Sequence, residues 1–297
     1  MSVAVIAPSR SLVRLADAAL LLVALVWGTS YGVAKNALGY YPVLGFLAVR
    51  FLLTAALLGP VLWRLHAPAR RQAWAAGLPL GAWMLAIFLC ETYGVAHTDA
   101  SLAAFLISLC VVWTPLVEWA LLQRRPRRAL LGFVALSVAG AVLLTGAWSH
   151  GRGWGLGEGL MLAAALLRAI TVCQTARLTR GRQIPALALT AVQSTVIGLG
   201  SLAFALAGPQ TLPPLPTAGA FWGACAYLVL GCTVFAFFVQ NWALRHSEPS
   251  RVALLMGSEP VFGALFGVLC LGESMSPVQW LGGALVVGAA LWMSWRA

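Results

Sequence analysis

The chain has 297 residues, of which 61% are hydrophobic and only 9% are charged, and its formal net charge is +11. Ordinary soluble domains carry about 25% charged residues, so this much apolar surface excludes a soluble fold and requires lipid as the solvent. Most of the positive charge lies on one side of the predicted bundle. This pattern indicates contact with anionic lipid headgroups and excludes nucleic acid as the expected partner.

Ten apolar stretches follow one another along the chain, each about as long as a helix that crosses a bilayer. They predict helices rather than the strands of a barrel, because solid apolar runs lack the alternation that barrel strands show. The predicted spans are Leu15–Lys35, Pro42–Trp63, Trp74–Ala96, Ala100–Leu122, Ala129–Trp148, Trp154–Ala176, Pro185–Ala207, Ala218–Leu244, Arg251–Leu271 and Val278–Trp295. The predicted fold class is therefore an all-α membrane protein with ten transmembrane helices.

Basic residues fall almost entirely on one side of these spans. Of the 19 Lys and Arg residues, 15 lie at the termini or in every second gap, whereas only Lys35 and Arg152 lie in the gaps between them. Short loops rich in Arg and Lys remain in the cytoplasm. We therefore expect a multi-pass protein of the cell (inner) membrane with both termini cytoplasmic.

The ten spans divide into two halves, predicted at residues 1–150 and 151–297 of one integral membrane unit. A shift of about 149 residues superposes Ser101 on Ser250 and Leu122 on Leu271. Because each half has an odd number of spans, the second half must begin on the opposite side of the membrane. This predicts two inverted five-helix repeats, which in transporters build a site near the bilayer midplane.

Two arginines, Arg50 and Arg168, lie inside predicted spans, where a charge is costly and indicates a functional site. Arg50 and Glu91 are expected at similar depths on neighbouring helices, which predicts an ion pair between them. One interpretation is a purely structural pair. The alternative is that Glu91 binds a substrate ammonium group or a coupling proton.

Arg168 is expected near the middle of the sixth span, too deep for its side chain to reach the interface. Its guanidinium could hold a carboxylate or phosphate of a substrate through two hydrogen bonds, or pair with Glu259 or another acid. Glu259 precedes Pro260, which cannot donate the usual helix hydrogen bond. We interpret this pair as a structural or gating element, with substrate contact as the alternative.

Two uncharged side chains complete the candidate site. Trp27 adjoins the Gly28-x-x-x-Gly32 pattern and is expected either to line a cavity or to pack between helices. Gln240 is expected to bridge helices or to contact substrate. The histidines and cysteines lack metal-ligand spacing and the glycines lack a phosphate-binding context, so neither a metal nor a cofactor is expected.

Several short motifs occur in a characteristic order. They are Trp27-Gly28-Thr29-Ser30, Val49-Arg50-Phe51, Ala100-Ser101-Leu102-Ala103-Ala104, Glu259-Pro260-Val261 and Leu271-Gly272-Glu273. Over essentially its whole length, the chain resembles the EamA-type branch of the drug/metabolite transporter superfamily. The resemblance implies ten helices in two inverted repeats, cytoplasmic termini and movement of small metabolites, often outward. One departure is Gln123-Arg124, where the family often has Gly-Glu.

The expected function is secondary transport, in the direction of export, of small metabolites such as amino acids or related compounds. Transport would proceed by alternating access through a central cavity, with or without a coupling proton, in a monomer or homodimer. One alternative is a multidrug or cationic compound exporter. An intramembrane enzyme and a non-transporting receptor are further alternatives, but deep histidines and nucleophile motifs are missing from the spans, so the chain is not expected to be an enzyme.

Overall fold

The computed structural model describes residues 10–122, 132, 135–136, 138–140, 142–143, 155–179, 182, 184–208, 212–243 and 258–296. Within these residues all regular secondary structure is helical. The elements are α1 (Arg10–Leu38), α2 (Val43–Trp63), α3 (Ala67–His97), α4 (Ala100–Ser108), α5 (Cys110–Leu122), α6 (Leu156–Thr179), α7 (Ala186–Ala207), α8 (Gly219–Ala226), a π-helical segment (Tyr227–Phe235), α9 (Ala236–Ala243), α10 (Glu259–Leu271) and α11 (Pro277–Arg296).

The all-α prediction is confirmed by these elements. In the described part of the chain, six helices are long and apolar enough to cross a membrane, and two apolar helices are shorter. Most of the predicted span Ala129–Trp148 and the first residues of the span Arg251–Leu271 lie outside the described residues. The count of ten spans in two inverted repeats, and the division at residue 150, therefore stay predictions.

Helix α3 begins at Ala67, earlier than the predicted start of its span at Trp74. Pro68 lies in the first turn, where its missing N–H costs no hydrogen bond. Arg70 and Arg71 follow, and both are good helix formers although neither is apolar. The span was predicted too short because hydropathy marks where lipid begins rather than where the helix begins.

The fourth predicted span is two helices rather than one. Helices α4 and α5 meet at Leu109, whose N–H donates to the Leu106 carbonyl at 3.2 Å, three residues earlier instead of four. Such a tightened turn interrupts regular α-helix geometry. The residues beside Leu109 include neither glycine nor proline, and the proline of this run, Pro115, lies further along α5, so the sequence does not predict a break at Leu109.

The eighth predicted span contains a π-helical segment that the sequence did not predict. Residues Tyr227–Phe235 form this π-helix, in which backbone hydrogen bonds span five residues, and the Thr233 hydroxyl also donates to the Leu228 carbonyl at 3.0 Å. π-Helical turns are rare and are frequent at functional sites. This segment packs against both α1 and α2.

Helices from the two halves of the chain are interleaved. Helix α2 packs along α7, α3 packs against α6 and α7, and α10 packs against α1 and α4. The crossing of α1 and α10 is especially close, because a Cβ atom on Gly28 would lie 2.6 Å from the Glu259 carbonyl oxygen. Only glycine fits there, which explains the small-residue pattern at Gly28 and Gly32.

Candidate functional site

Arg168 and Glu91 form an ion pair between α6 and α3. The distance from Arg168 Nη2 to Glu91 Oε2 is 2.9 Å, and the two side chains are 29% and 11% exposed. These helices pack side by side, which brings the middle of α6 against the C-terminal part of α3. A charge at this depth is expensive unless it is paired, and here each charge is paired with the other.

The predicted pair between Arg50 and Glu91 is therefore wrong, since the structure gives Glu91 to Arg168. Arg50 instead lies over the rings of Phe51 and Phe88, with its guanidinium carbon 5.0 and 5.4 Å from the two ring centroids. It is 8% exposed, and among the described residues its Nε atom has no hydrogen-bond partner. Aromatic faces attract a cation that is shielded from water, and this contact replaces the carboxylate.

A second hydrogen-bonded pair joins α1 and α10. The hydroxyl of Tyr31, a residue 2% exposed, donates to Glu259 Oε1 at 2.7 Å. Tyr31 lies one turn after Gly28, on the face of α1 that meets α10 most closely. Glu259 was predicted from the sequence but Tyr31 was not, because an uncharged residue in an apolar run does not carry the energetic cost that marks a buried charge.

Tyr31, Glu91, Arg168 and Glu259 form one group, which we call the Arg168 cluster. Arg168 interacts electrostatically with Tyr31 and Glu259 as well as with Glu91. Arg168 was predicted to pair with Glu259 or with another acid, and the acid in direct contact with it is Glu91. The cluster brings one cation and two carboxylates from four helices into the interior of the bundle, where charged ligands can be bound.

The remaining candidates lie around the π-helical segment. The indole N–H of Trp27 donates to the Cys232 carbonyl at 2.7 Å, and its ring packs edge-on against Phe237 with centroids 5.8 Å apart. Trp27 therefore holds α1 to the segment, which agrees with the packing interpretation. Gln240 lies in α9, but its side chain is outside the described residues.

A second polar group, which we call the Glu273 cluster, lies at the ends of α1, α3 and α10. Glu273 accepts hydrogen bonds from the N–H groups of Ala100 at 2.7 Å and Ser101 at 2.9 Å. The ammonium group of Lys35 lies 3.3 Å from Glu273 Oε1 and 3.4 Å from Asp99 Oδ1. Glu273 thus occupies the N-terminus of α4, where unpaired N–H groups and the helix dipole favour a carboxylate.

The chemistry of Glu273 follows from these contacts. Burial alone raises the pKa of this carboxyl, but the hydrogen bonds from Ser101 and Ala100 and the nearby Lys35 outweigh it and lower the pKa below its usual value. Gly272 makes the contact possible, because its φ of 68° turns the chain back from α10 towards α4. Leu271-Gly272-Glu273 was recognised from the sequence as a motif, but the partners of Glu273 were not predicted.

The described residues contain no group of three His, Cys, Asp or Glu side chains placed to hold a metal ion. Apolar helices of membrane-crossing length, with a charged cluster inside the bundle, define a polytopic membrane protein of the transporter class.

The chain belongs to the EamA-like transporter family, whose sequence model matches residues 14–146 and again residues 155–295. This confirms the resemblance noted from the motifs.

Similar proteins from several organisms carry transporter names. An uncharacterized transporter of Archaeoglobus fulgidus is 28% identical over 95% of this chain and 86% of its own. A probable terminal-alkyne amino-acid exporter of Streptantibioticus cattleyicolor is 26% identical over 94% of this chain and 93% of its own. A probable amino-acid metabolite efflux pump of Salmonella typhimurium is 26% identical over 92% of each chain. The family and these relatives are transporters rather than enzymes.

A solved crystal structure shares the fold. It has a TM-score of 0.62 and 20% sequence identity, and the match covers 97% of this chain and 99% of the other. The uncharacterized inner membrane transporter YedA of Escherichia coli, 26% identical, is a further relative over 92% of this chain and 88% of its own. Together with the apolar helices, these similarities identify a multi-pass membrane protein.

Proposed function

We propose that the protein is a secondary transporter that exports small amphipathic metabolites, such as amino acids or related compounds, by alternating access. The observation that carries the proposal is the Arg168 cluster. Arg168 is 29% exposed although it lies well inside α6, and it uses one Nη atom for Glu91. The rest of the guanidinium edge is available for the carboxylate of a substrate.

The packing of the described helices supports alternating access. Under the predicted repeat, the contacts of α3 with α6 correspond to those of the π-helical segment and α9 with α1. The contact of α4 with α6 corresponds in the same way to that of α10 with α1. Corresponding contacts are what an inverted repeat requires if its two halves exchange conformations.

The relatives support the substrate class. Two of them are named as an amino-acid exporter and an amino-acid metabolite efflux pump. An amino acid carries a carboxylate and an ammonium group, and the cluster offers a guanidinium for the first and a carboxylate, Glu259, for the second. A cationic compound exporter is the second candidate, favoured by the two carboxylates of the cluster against its single arginine.

Transport into proteoliposomes tests the proposal once a thermal-shift screen against a metabolite library has found a ligand that stabilises the protein. We expect Arg168→Lys to keep part of the flux, because the charge remains without the planar fork, and Arg168→Gln to lose most of it. Both variants should remain monodisperse. Native flux in a well-folded Arg168→Gln protein would exclude the anion-binding role, and a ligand set of permanent cations alone would favour the second candidate.

We also propose the orientation that the basic residues predict, with both termini in the cytoplasm. In a background without native cysteines, a membrane-impermeant thiol reagent added from outside should label Ser149→Cys and Gln210→Cys. The reagent should leave Gln72→Cys and Gln183→Cys unlabelled until the membrane is opened. Labelling in the reverse pattern would invert the orientation without affecting the fold.

A further inference from the structure

We infer that Glu259 is a proton-binding site of this transporter, and that a proton taken up there weakens the contact between α1 and α10. The inference rests on the proposed function, since it assigns the coupling proton to one residue of the same site.

The two carboxylates of the cluster have different direct partners. Glu91 is in direct contact with Arg168 at 2.9 Å, and these two charges cancel. Glu259 is half-buried, and its hydrogen bond comes from the neutral hydroxyl of Tyr31 at 2.7 Å. Arg168 also acts electrostatically on Glu259, but its direct contact is with Glu91, so the positive charge near Glu259 is shared.

Among the residues that the structure describes, the other neighbours of Glu259 do not supply a second cation. Helix α1 contributes Tyr31, α3 contributes Glu91, α6 contributes Arg168 and the π-helical segment contributes the neutral thiol of Cys232. Helix α4, which also packs against α10, has no titratable side chain. Arg50 is held over Phe51 and Phe88, away from direct contact with a carboxylate. An ionised carboxylate without its own cation is costly inside a membrane protein, and a proton removes that cost.

The position of Glu259 connects protonation to helix packing. Its backbone oxygen lies against Gly28, and its side chain bonds Tyr31 one turn further along α1. A hydrogen bond to a carboxylate is stronger than one to the neutral acid. Protonation therefore weakens the contact between Tyr31 and Glu259 at the closest crossing of α1 with α10.

Infrared spectroscopy of the full-length protein in liposomes tests the inference without a substrate, so its outcome is independent of the transport assay. The difference between wild-type and Glu259→Gln spectra isolates the carboxylic-acid absorption of Glu259 as pH is varied. We expect this absorption at neutral pH or mildly acidic pH and its loss as pH rises. Glu158→Gln serves as the matched control, because Glu158 accepts from Thr98 at 2.7 Å outside the cluster, and it should leave the absorption unchanged.

Several results would contradict a proton-binding site at Glu259. If Glu259 stays ionised down to about pH 4, where ordinary glutamates take up protons, the inference is overturned. If the titrating absorption persists in Glu259→Gln, the proton is bound elsewhere and the inference is also overturned. Should Glu259→Gln fail to fold, Tyr31→Phe replaces it. Removing the donor should move the titration midpoint towards higher pH by about one unit, whereas an unchanged midpoint would contradict the assignment.

Discussion

The Glu273 cluster and the Arg168 cluster are both built from charged residues brought together by helices of the two halves, but they differ in how fully their charges are partnered. Glu273 accepts two backbone N–H bonds and lies beside Lys35, so a single carboxylate joins three elements. In the Arg168 cluster, one carboxylate has the cation and the other has a neutral tyrosine. A fully partnered carboxylate fastens helix ends together, whereas an incompletely partnered one remains available for a ligand.

Removing one member of the Arg168–Glu91 pair should have the largest effect on stability. We expect Arg168→Ala or Glu91→Ala to lower the free energy of unfolding by about 3 kcal/mol, the lower end for a buried pair because Arg168 is partly exposed. The double variant should lose much less than the sum of the two, because no lone charge is left buried. Unfolding in mixed micelles, analysed as a double-mutant cycle, gives the coupling, and additive losses would contradict a direct pair.

Removing the carboxylate from the Glu273 cluster should have the next largest effect. Glu273→Ala leaves the N–H groups of Ala100 and Ser101 without their acceptor and should cost about 2 kcal/mol of unfolding free energy in the same assay. Asp99→Asn is the matched control. The Asp99 side chain is 64% exposed and contacts the cluster through Lys35, so we expect a loss of at most about 0.5 kcal/mol of unfolding free energy. Equal losses in the two variants would show that the backbone bonds of Glu273 contribute nothing.

The smallest expected effect is the pH dependence of the stability that the Glu273 cluster contributes. Because the pKa of Glu273 is lowered in the folded state, its contribution to stability is complete above the unfolded value of about 4.3 and disappears as pH falls through the folded value. The difference in unfolding free energy between wild type and Glu273→Gln should therefore shrink as pH falls below the unfolded value of about 4.3. A difference that grows on acidification would reverse the assignment.

Comparing prediction with structure shows where hydropathy is informative. Long apolar runs such as Val43–Trp63 were predicted almost to the residue, because lipid demands a helix wherever such a run occurs. The break at Leu109 and the π-helical segment at Tyr227–Phe235 were missed. Both are adjustments of hydrogen-bond register inside apolar sequence, and they depend on neighbouring helices rather than on local composition.

The candidate site divides in the same way. Arg50, Glu91, Arg168 and Glu259 were all identified from the cost of a charge inside a span, which is a property of the residue itself. Their partners were not, since Glu91 was assigned to Arg50 and is bound by Arg168 instead. Equal depth along two helices does not determine which faces meet, because a helix can rotate about its axis without changing the depth of any residue.

The sequence was therefore sufficient to predict a helical membrane protein of the EamA-like transporter family and to identify the residues that carry unusual charges. Composition, hydropathy and motif order can be read directly from the chain, and apolar runs become helices because lipid leaves no other hydrogen-bond partners for the backbone. Only the tertiary structure shows that Tyr31 contacts Glu259, that Arg168 contacts Glu91 and that Glu273 contacts the start of α4. These contacts join residues far apart in the chain, and they depend on helix rotation and on the close crossing that Gly28 permits.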